Sequence, residues 1–146
     1  MSTDQWRISR RVLIDSSIDY AISDRESREQ RLVIASMERL AAQHRHPSTT
    51  NFILAETHAL VLNRLGRDVA TRLLQEIDEG SSTIVRVSAA DERRAREIIM
   101  THDDKDYSLT DATSVAVMER LHIGEAFTFD RHFAQFGFAV CGPAPE

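Results

Sequence analysis

Apolar residues follow two rhythms along this chain: short runs bounded by polar residues alternate with longer stretches of helical spacing. Val12-Leu13-Ile14, within residues 10–15, predicts a first strand, and Ile18 to Ile22 a short helix behind it. Residues 26–43 carry Leu32, Ile34, Ala35, Met37, Leu40 and Ala41 near helical spacing, with charge on the other side. HPSTT, residues 46–50, reads as a short strand or a turn. Residues 51–65 predict an apolar helix ending at Gly66, and 67–79 another, ended by Gly80. The β-branched TIVRV, residues 83–87, predicts a strand. A charged amphipathic helix over 89–101 and the loop HDDKDY follow. Ser108 opens a helix that runs to about His122 and is stopped by Gly124. Ala126 to Phe129 predicts a strand, Asp130 to Gln135 a helical turn, and Phe138 to Cys141 a last strand. Residues 1–9 read as a polar arm and 142–146 as a tail.

Strands alternating with helices imply an α/β fold: a mostly parallel sheet sandwiched between helices, in one domain spanning 1–146. Such sheets place ligand sites beyond the carboxyl ends of their strands, near the point where strand order reverses.

Composition narrows the picture. The single cysteine, Cys141, excludes an internal disulfide framework and a multi-cysteine zinc site. No apolar run is long enough to span a membrane. Ser9-Arg10-Arg11 has the look of a twin-arginine export signal, but Asp15 and Asp19 interrupt the apolar stretch such a signal needs. The expected setting is reducing and cytoplasmic. The formal charge of −5 argues against coating nucleic acid by bulk positive charge, though not against handling it through a metal ion. Lys105 is the only lysine, so the bases are almost all arginine, which suits bidentate pairing with phosphate or carboxylate.

Four acids stand out. Asp15 closes the first strand, where aspartate is also a common helix cap. Asp111 completes Ser108-Leu109-Thr110-Asp111, a capping-box pattern. Asp130 follows Ala126-Phe127-Thr128-Phe129 and suits another cap. Glu56 is harder to explain locally. Phe52, Ile53, Ala59 and Leu60 surround it on the helix, which predicts an inward face and calls for an arginine, a proton or a metal to compensate it. Clustered carboxylates repel one another, and a divalent cation removes that cost; oxygen donors select Mg²⁺ or Mn²⁺.

The motifs VLIDSS, the glutamate in FILAETHALV, and DKDYSLTDATSVAVMERLHIGEAFTFDRHF together resemble the PIN domain, and within it the toxin ribonucleases of VapBC-type toxin–antitoxin pairs. The resemblance runs from about Val12 to Phe138 and is most specific in SLTDATSVAVMERL and AFTFDRHF. It implies an α/β/α sandwich whose acids Asp15, Glu56, Asp111 and Asp130 hold one or two Mg²⁺ or Mn²⁺ ions and cut RNA phosphodiester bonds, leaving a 5′-phosphate and a 3′-hydroxyl. Asp15 and Asp111 are the expected direct ligands; Glu56 and Asp130 bind the ion, orient its water or act as general base. Ser16 or Ser17 and Thr128 would be the accompanying hydroxyls, and Arg10, Arg11 or Arg131 would draw in substrate. The resemblance also implies a cognate antitoxin and a homodimer, with the helices at 26–43 and 51–65 as candidate dimer faces.

Rival acidic sites fail on spacing. A haloacid-dehalogenase-type D-x-D has Ser17 where its second acid belongs. A receiver domain lacks its late lysine. An EF-hand read from Asp104 meets Leu109 where glycine is required and Val115 where glutamate is required. The six histidines form no H-E-x-x-H pattern and read as surface residues or caps. A non-catalytic scaffold with this fold is the alternative from another functional class.

Overall fold

The computed structural model describes residues 9–142; of the expected arm over 1–9 and tail over 142–146, residues 1–8 and 143–146 lie outside the described residues. The strands are β1 (Arg11–Ile14), β2 (His46–Thr50), β3 (Thr83–Val85), β4 (Glu125–Phe127) and β5 (Ala139–Cys141). The helices are α1 (Ser16–Ser23), α2 (Glu29–Ala42), α3 (Asn51–Leu65), α4 (Arg67–Glu79), α5 (Ala89–Thr101) and α6 (Leu109–Leu121), with a 3₁₀ turn at Arg131–Phe136. The sheet runs β3-β2-β1-β4-β5 and every pairing is parallel.

The alternation of side chains along β1 builds the layers. Leu13 points to one face and joins Ile53, Ala95, Ile98, Val115, Met118 and Phe133 from the helices there. Val12 and Ile14 point to the other and pack with Ile18, Ala21 and Val33 of α1 and α2. In β4, Ala126 and Phe127 divide the same way. The result is the expected three-layer sandwich. Leu13 is fully buried, which contributes roughly 1.5–3 kcal/mol.

Two local expectations are corrected, and a third, left open between strand and turn, is decided. On α2 the buried stripe is Val33–Ser36, with Met37 and Leu40 behind it, because the helix turns Leu32 and Ile34 outward. α6 is ended by His122, which adopts the left-handed conformation at φ 55°, before Gly124 is reached. HPSTT is a strand, although it presents no apolar row; Ser48, Thr49 and Thr50 are buried inside the parallel sheet.

β1 is the hinge of the topology. The chain leaves it toward β2 on one side and later returns as β4 on the other. The switch point therefore lies between the carboxyl ends of β1 and β4, and a crevice opens there.

Candidate functional site

Asp15 and Thr128 are the first residues beyond β1 and β4. The register pairs Ile14 with Phe127, so the next residues meet side by side. Asp15 occupies the cap position of α1, yet its carboxylate makes no capping bond. Its Oδ2 instead accepts from the Thr128 hydroxyl at 2.7 Å and from the Ser17 hydroxyl at 3.1 Å. Ser17 Oγ in turn accepts from the Phe129 amide, and Thr128 Oγ1 from the Asp130 amide. These hydroxyls lock the carboxyl ends of two strands together and fix one carboxylate, which is 5% exposed.

Asp111 is held by α6. Its Oδ2 accepts from the Ser108 amide and its own amide donates to Ser108 Oγ, so the capping box is real. Asp130 caps the 3₁₀ turn, its Oδ1 accepting from the His132 amide at 2.9 Å. Local capping and a place in the crevice are thus compatible: both acids serve their helix ends while lining the same cleft.

Glu56 is where the sequence reading is corrected in part. The inward stripe of α3 is Ile53, Thr57 and Val61, one turn apart each time, and Glu56 lies on the neighbouring exposed face. The apolar residues Ala59 and Leu60 accompany it along the cleft wall rather than into the core. No arginine or lysine pairs with it among the described residues.

The cleft has a volume of about 930 Å³ and is lined by all four predicted acids, with Ser16, Ser17, Tyr20 and Arg64 among its other walls. Its electrostatics are those of crowded negative charge. Burial, followed by repulsion from Asp15 and Asp130, pushes the Asp111 carboxyl above its ordinary value against the pull of its Ser108 hydrogen bonds. Burial chiefly, then Asp111 and Asp15, pushes Glu56 up, opposed by the Ser16 hydroxyl. Behind the wall, burial and the nearby Asp15 push Asp19 to about 7, and its Oδ2 has no hydrogen-bond partner.

The gathering is uneven. One donor atom each from Asp111, Asp130 and His132 lie within 4.8 Å of one another. Asp15 and Glu56 line the cleft outside that tight group. His132 is the residue the sequence reading passed over; the available signal was its position two residues after Asp130. Arg10 and Arg11 are corrected as substrate guides: they lie at the amino end of β1, opposite the cleft. Arg131 is exposed beside Asp130. The guanidinium on the cleft wall is that of Arg64, 5.6 Å from the centre of the Tyr20 ring.

Crowded oxygen donors with no arginine or lysine ion-paired to them among the described residues suit a hard divalent cation. The donor set of this cleft fits one, with Asp15, Glu56, Asp111 and Asp130 as the carboxylates that would hold it.

Comparison with known proteins gives the site its context. The PIN domain family model matches residues 12–139. The chain is 39% identical over 98 residues to the 23S rRNA-specific endonuclease VapC20 of Mycobacterium tuberculosis, which covers 65% of this chain and 72% of that protein. It is 29% identical over 84 residues to Ribonuclease VapC26 of the same organism, 57% of this chain and 62% of that one. The crystal structure of M. tuberculosis VapC20, described as a sarcin–ricin-loop-cleaving toxin, superposes with a TM-score of 0.77 at 29% identity over 88% of this chain and 96% of that one. FitAcB from Neisseria gonorrhoeae shares the fold, with a TM-score of 0.65 at 18% identity over 90% of this chain and 97% of that one.

Proposed function

This chain belongs to the PIN domain family, and from that premise we propose that it is a divalent-metal-dependent endoribonuclease toxin, hydrolysing RNA phosphodiester bonds and restrained by a cognate antitoxin. The observation that carries this reading is the convergence of Asp15, Glu56, Asp111 and Asp130 on one cleft at the switch point, with no lysine or arginine paired to any of them among the described residues. Its similarity to the endonuclease VapC20 and the ribonuclease VapC26 supports the activity.

Bound Mg²⁺ or Mn²⁺ supplies a Lewis acid that offsets charge on the phosphoryl group and eases ionisation of the attacking water. The chain's own residues do the rest. Ser17 and Thr128 both donate to Asp15 Oδ2, so that carboxylate keeps a single orientation toward the cleft. Asp111 and Asp130 are aimed by the helix ends they cap. Glu56, raised above its ordinary value mainly by burial, lines the cleft as the carboxylate that would take the proton of the attacking water. In-line attack leaves a 5′-phosphate and a 3′-hydroxyl.

The substrate class follows from the cleft and the relatives. A negative cleft on a chain of charge −5 does not bind RNA by bulk attraction. Shape and an exposed single-stranded loop are the better basis for selection. The likeness to VapC20, a 23S rRNA-specific endonuclease, makes a large-subunit ribosomal RNA loop the first substrate to test. An antitoxin segment covering the same cleft would exclude RNA directly. Leu32 and Ile34 on α2 and Leu62 on α3 are exposed, which leaves the expected dimer faces uncovered in the single chain.

The test is incubation of purified protein with ribosomes and with total RNA, with Mn²⁺, with Mg²⁺ and with chelator, followed by mapping of 5′ ends. Discrete fragments in the presence of metal alone are expected. Intact RNA under every condition would overturn the enzymatic reading in favour of a scaffold.

A further inference from the structure

His132 stands beside two of the proposed carboxylate ligands, Asp130 and Asp111. Its Nδ1 lies 3.0 Å from Asp130 Oδ2 and 3.9 Å from Asp111 Oδ2. That nitrogen is buried and has no hydrogen-bond partner. The ring is set in place from both ends. Its backbone amide is tied to Asp130 Oδ1 at 2.9 Å, and its ring and that of Tyr107 pack in a T-shape with centres 5.5 Å apart. Tyr107 is in turn fixed by its hydroxyl to Gln135.

We propose that His132 donates Nδ1 to the same cation that Asp111 and Asp130 hold, making a mixed nitrogen–oxygen site that prefers Mn²⁺ to Mg²⁺. This rests on the metal-dependent reading above and goes beyond its all-carboxylate ligand set. The spacing suits a shared ion. In an octahedron with bonds of about 2.1 Å, neighbouring donors are about 3 Å apart and opposite donors about 4.2 Å. The two distances from Nδ1 fall at the first value and between the two. Imidazole nitrogen is a ligand of transition metals, whereas Mg²⁺ keeps to oxygen and water, so the histidine adds affinity selectively. An oxygen site would bind the two ions with little discrimination.

Pulsed electron paramagnetic resonance of the full chain loaded with Mn²⁺ alone reads this directly. The wild type should show coupling of the ion to a directly bound ¹⁴N, and His132→Ala should lose it. Growth on ¹⁵N-labelled histidine should change the coupling in the unmutated protein, so the result does not depend on the variant folding. Calorimetric titration should show Mn²⁺ affinity about tenfold weaker in His132→Ala and Mg²⁺ affinity unchanged. Absence of nitrogen coupling in the wild type, or its survival in His132→Ala, overturns the proposal while leaving the carboxylate site standing. Failure of the wild type to bind Mn²⁺, or equal binding by Asp111→Asn, removes the carboxylate site and this ligand with it.

Discussion

The amino ends of α5 and α6 carry the same local device and put it to opposite use. Ser88 and Asp91 form a capping box at α5, and Ser108 and Asp111 form one at α6. The bond lengths nearly match: Asp91 N–H to Ser88 Oγ is 3.1 Å and Asp111 N–H to Ser108 Oγ is 3.0 Å. Beyond the helix the two diverge. Asp91 receives Arg120 through Nε and Nη2, the latter at 2.8 Å. Asp111 instead faces Asp15 and Asp130. Burial raises Asp91, but Arg120 and Ser88 together outweigh it and leave that carboxyl below its ordinary value, whereas Asp111 is held above. A cap motif specifies how a helix begins; the charge of the surrounding fold decides whether its acid is structural or is left available for a cation.

The largest expected contrast is in activity. Asp111→Asn keeps an oxygen for the Ser108 amide, so its melting temperature should stay close to wild type. Its RNA cleavage should fall on the order of 10³-fold, about 4 kcal/mol of transition-state stabilisation. Single-turnover cleavage and calorimetry on the same preparation check both halves. Equal activity would collapse the distinction between the two boxes.

The next contrast is in pH dependence without metal. Asp19, Glu56 and Asp111 bind a proton more tightly folded than unfolded. Above their ordinary pKa values the unfolded chain has released protons that the native state retains, so native stability falls as pH rises. For Asp19 the window runs from 3.8 to about 7, with a ceiling of about 4 kcal/mol at 1.36 kcal/mol per unit. Asp91 has the reverse sign: it stabilises above the ordinary carboxyl pKa, and that contribution is lost as pH falls through its lowered native value. Melting curves in chelator should therefore decline from pH 5 toward 7.5, as an order-of-magnitude window from these shifts. Asp19→Asn should flatten the decline, and Mg²⁺ should restore stability most at the upper end. A wild-type profile that rises steadily to pH 7.5 in chelator would contradict this crowding.

How much of this was legible in the sequence divides along the same line. Val12-Leu13-Ile14 announced β1 because a buried parallel strand needs a continuous apolar run. HPSTT left strand and turn both open because its buried residues are hydroxyl-bearing, and only pairing with β1 and β3 makes a strand of them. All four cleft acids were legible as candidates, and for Asp111 and Asp130 the capping explanation is also true. The Asp15–Thr128 contact spans 113 positions and depends on strand register, which local pattern does not carry. The apolar neighbours of Glu56 point to an inward face, but only Ile53 of them is in the core, while Ala59 and Leu60 line the cleft. His132 was missed because a histidine after a cap has no distinctive spacing until the fold brings Asp111 to it.

A structural counterpart to the first variant is Asp91→Asn. It leaves Arg120 facing a neutral amide, and because Arg120 is 41% exposed the loss is reduced by water. A destabilisation of about 2 kcal/mol is expected, with cleavage per folded molecule unchanged. A drop in cleavage without a drop in melting temperature would mean that the α5 box also serves the site.

The smallest effects test the premise that the two boxes are locally alike. Ser88→Ala and Ser108→Ala each remove one acceptor from a first-turn amide, and each should cost about 1 kcal/mol. After Ser88→Ala the Asp91 carboxylate is still gripped by Arg120 and by the Ser88 amide at 2.9 Å. After Ser108→Ala, Asp111 keeps only the longer 3.3 Å bond from the Ser108 amide on its own helix. The lost bond is the one from the Asp111 amide to Ser108 Oγ, so the first turn that carries the carboxylate loosens with no arginine among the described residues to hold the acid. Cleavage should therefore fall several-fold, about 1 kcal/mol, at a stability cost matching that of Ser88→Ala. Matched stability losses with unmatched activity losses place the difference between the boxes beyond the helix ends. Unequal stability losses would mean that the caps themselves differ, and that the fold's charge does not act alone.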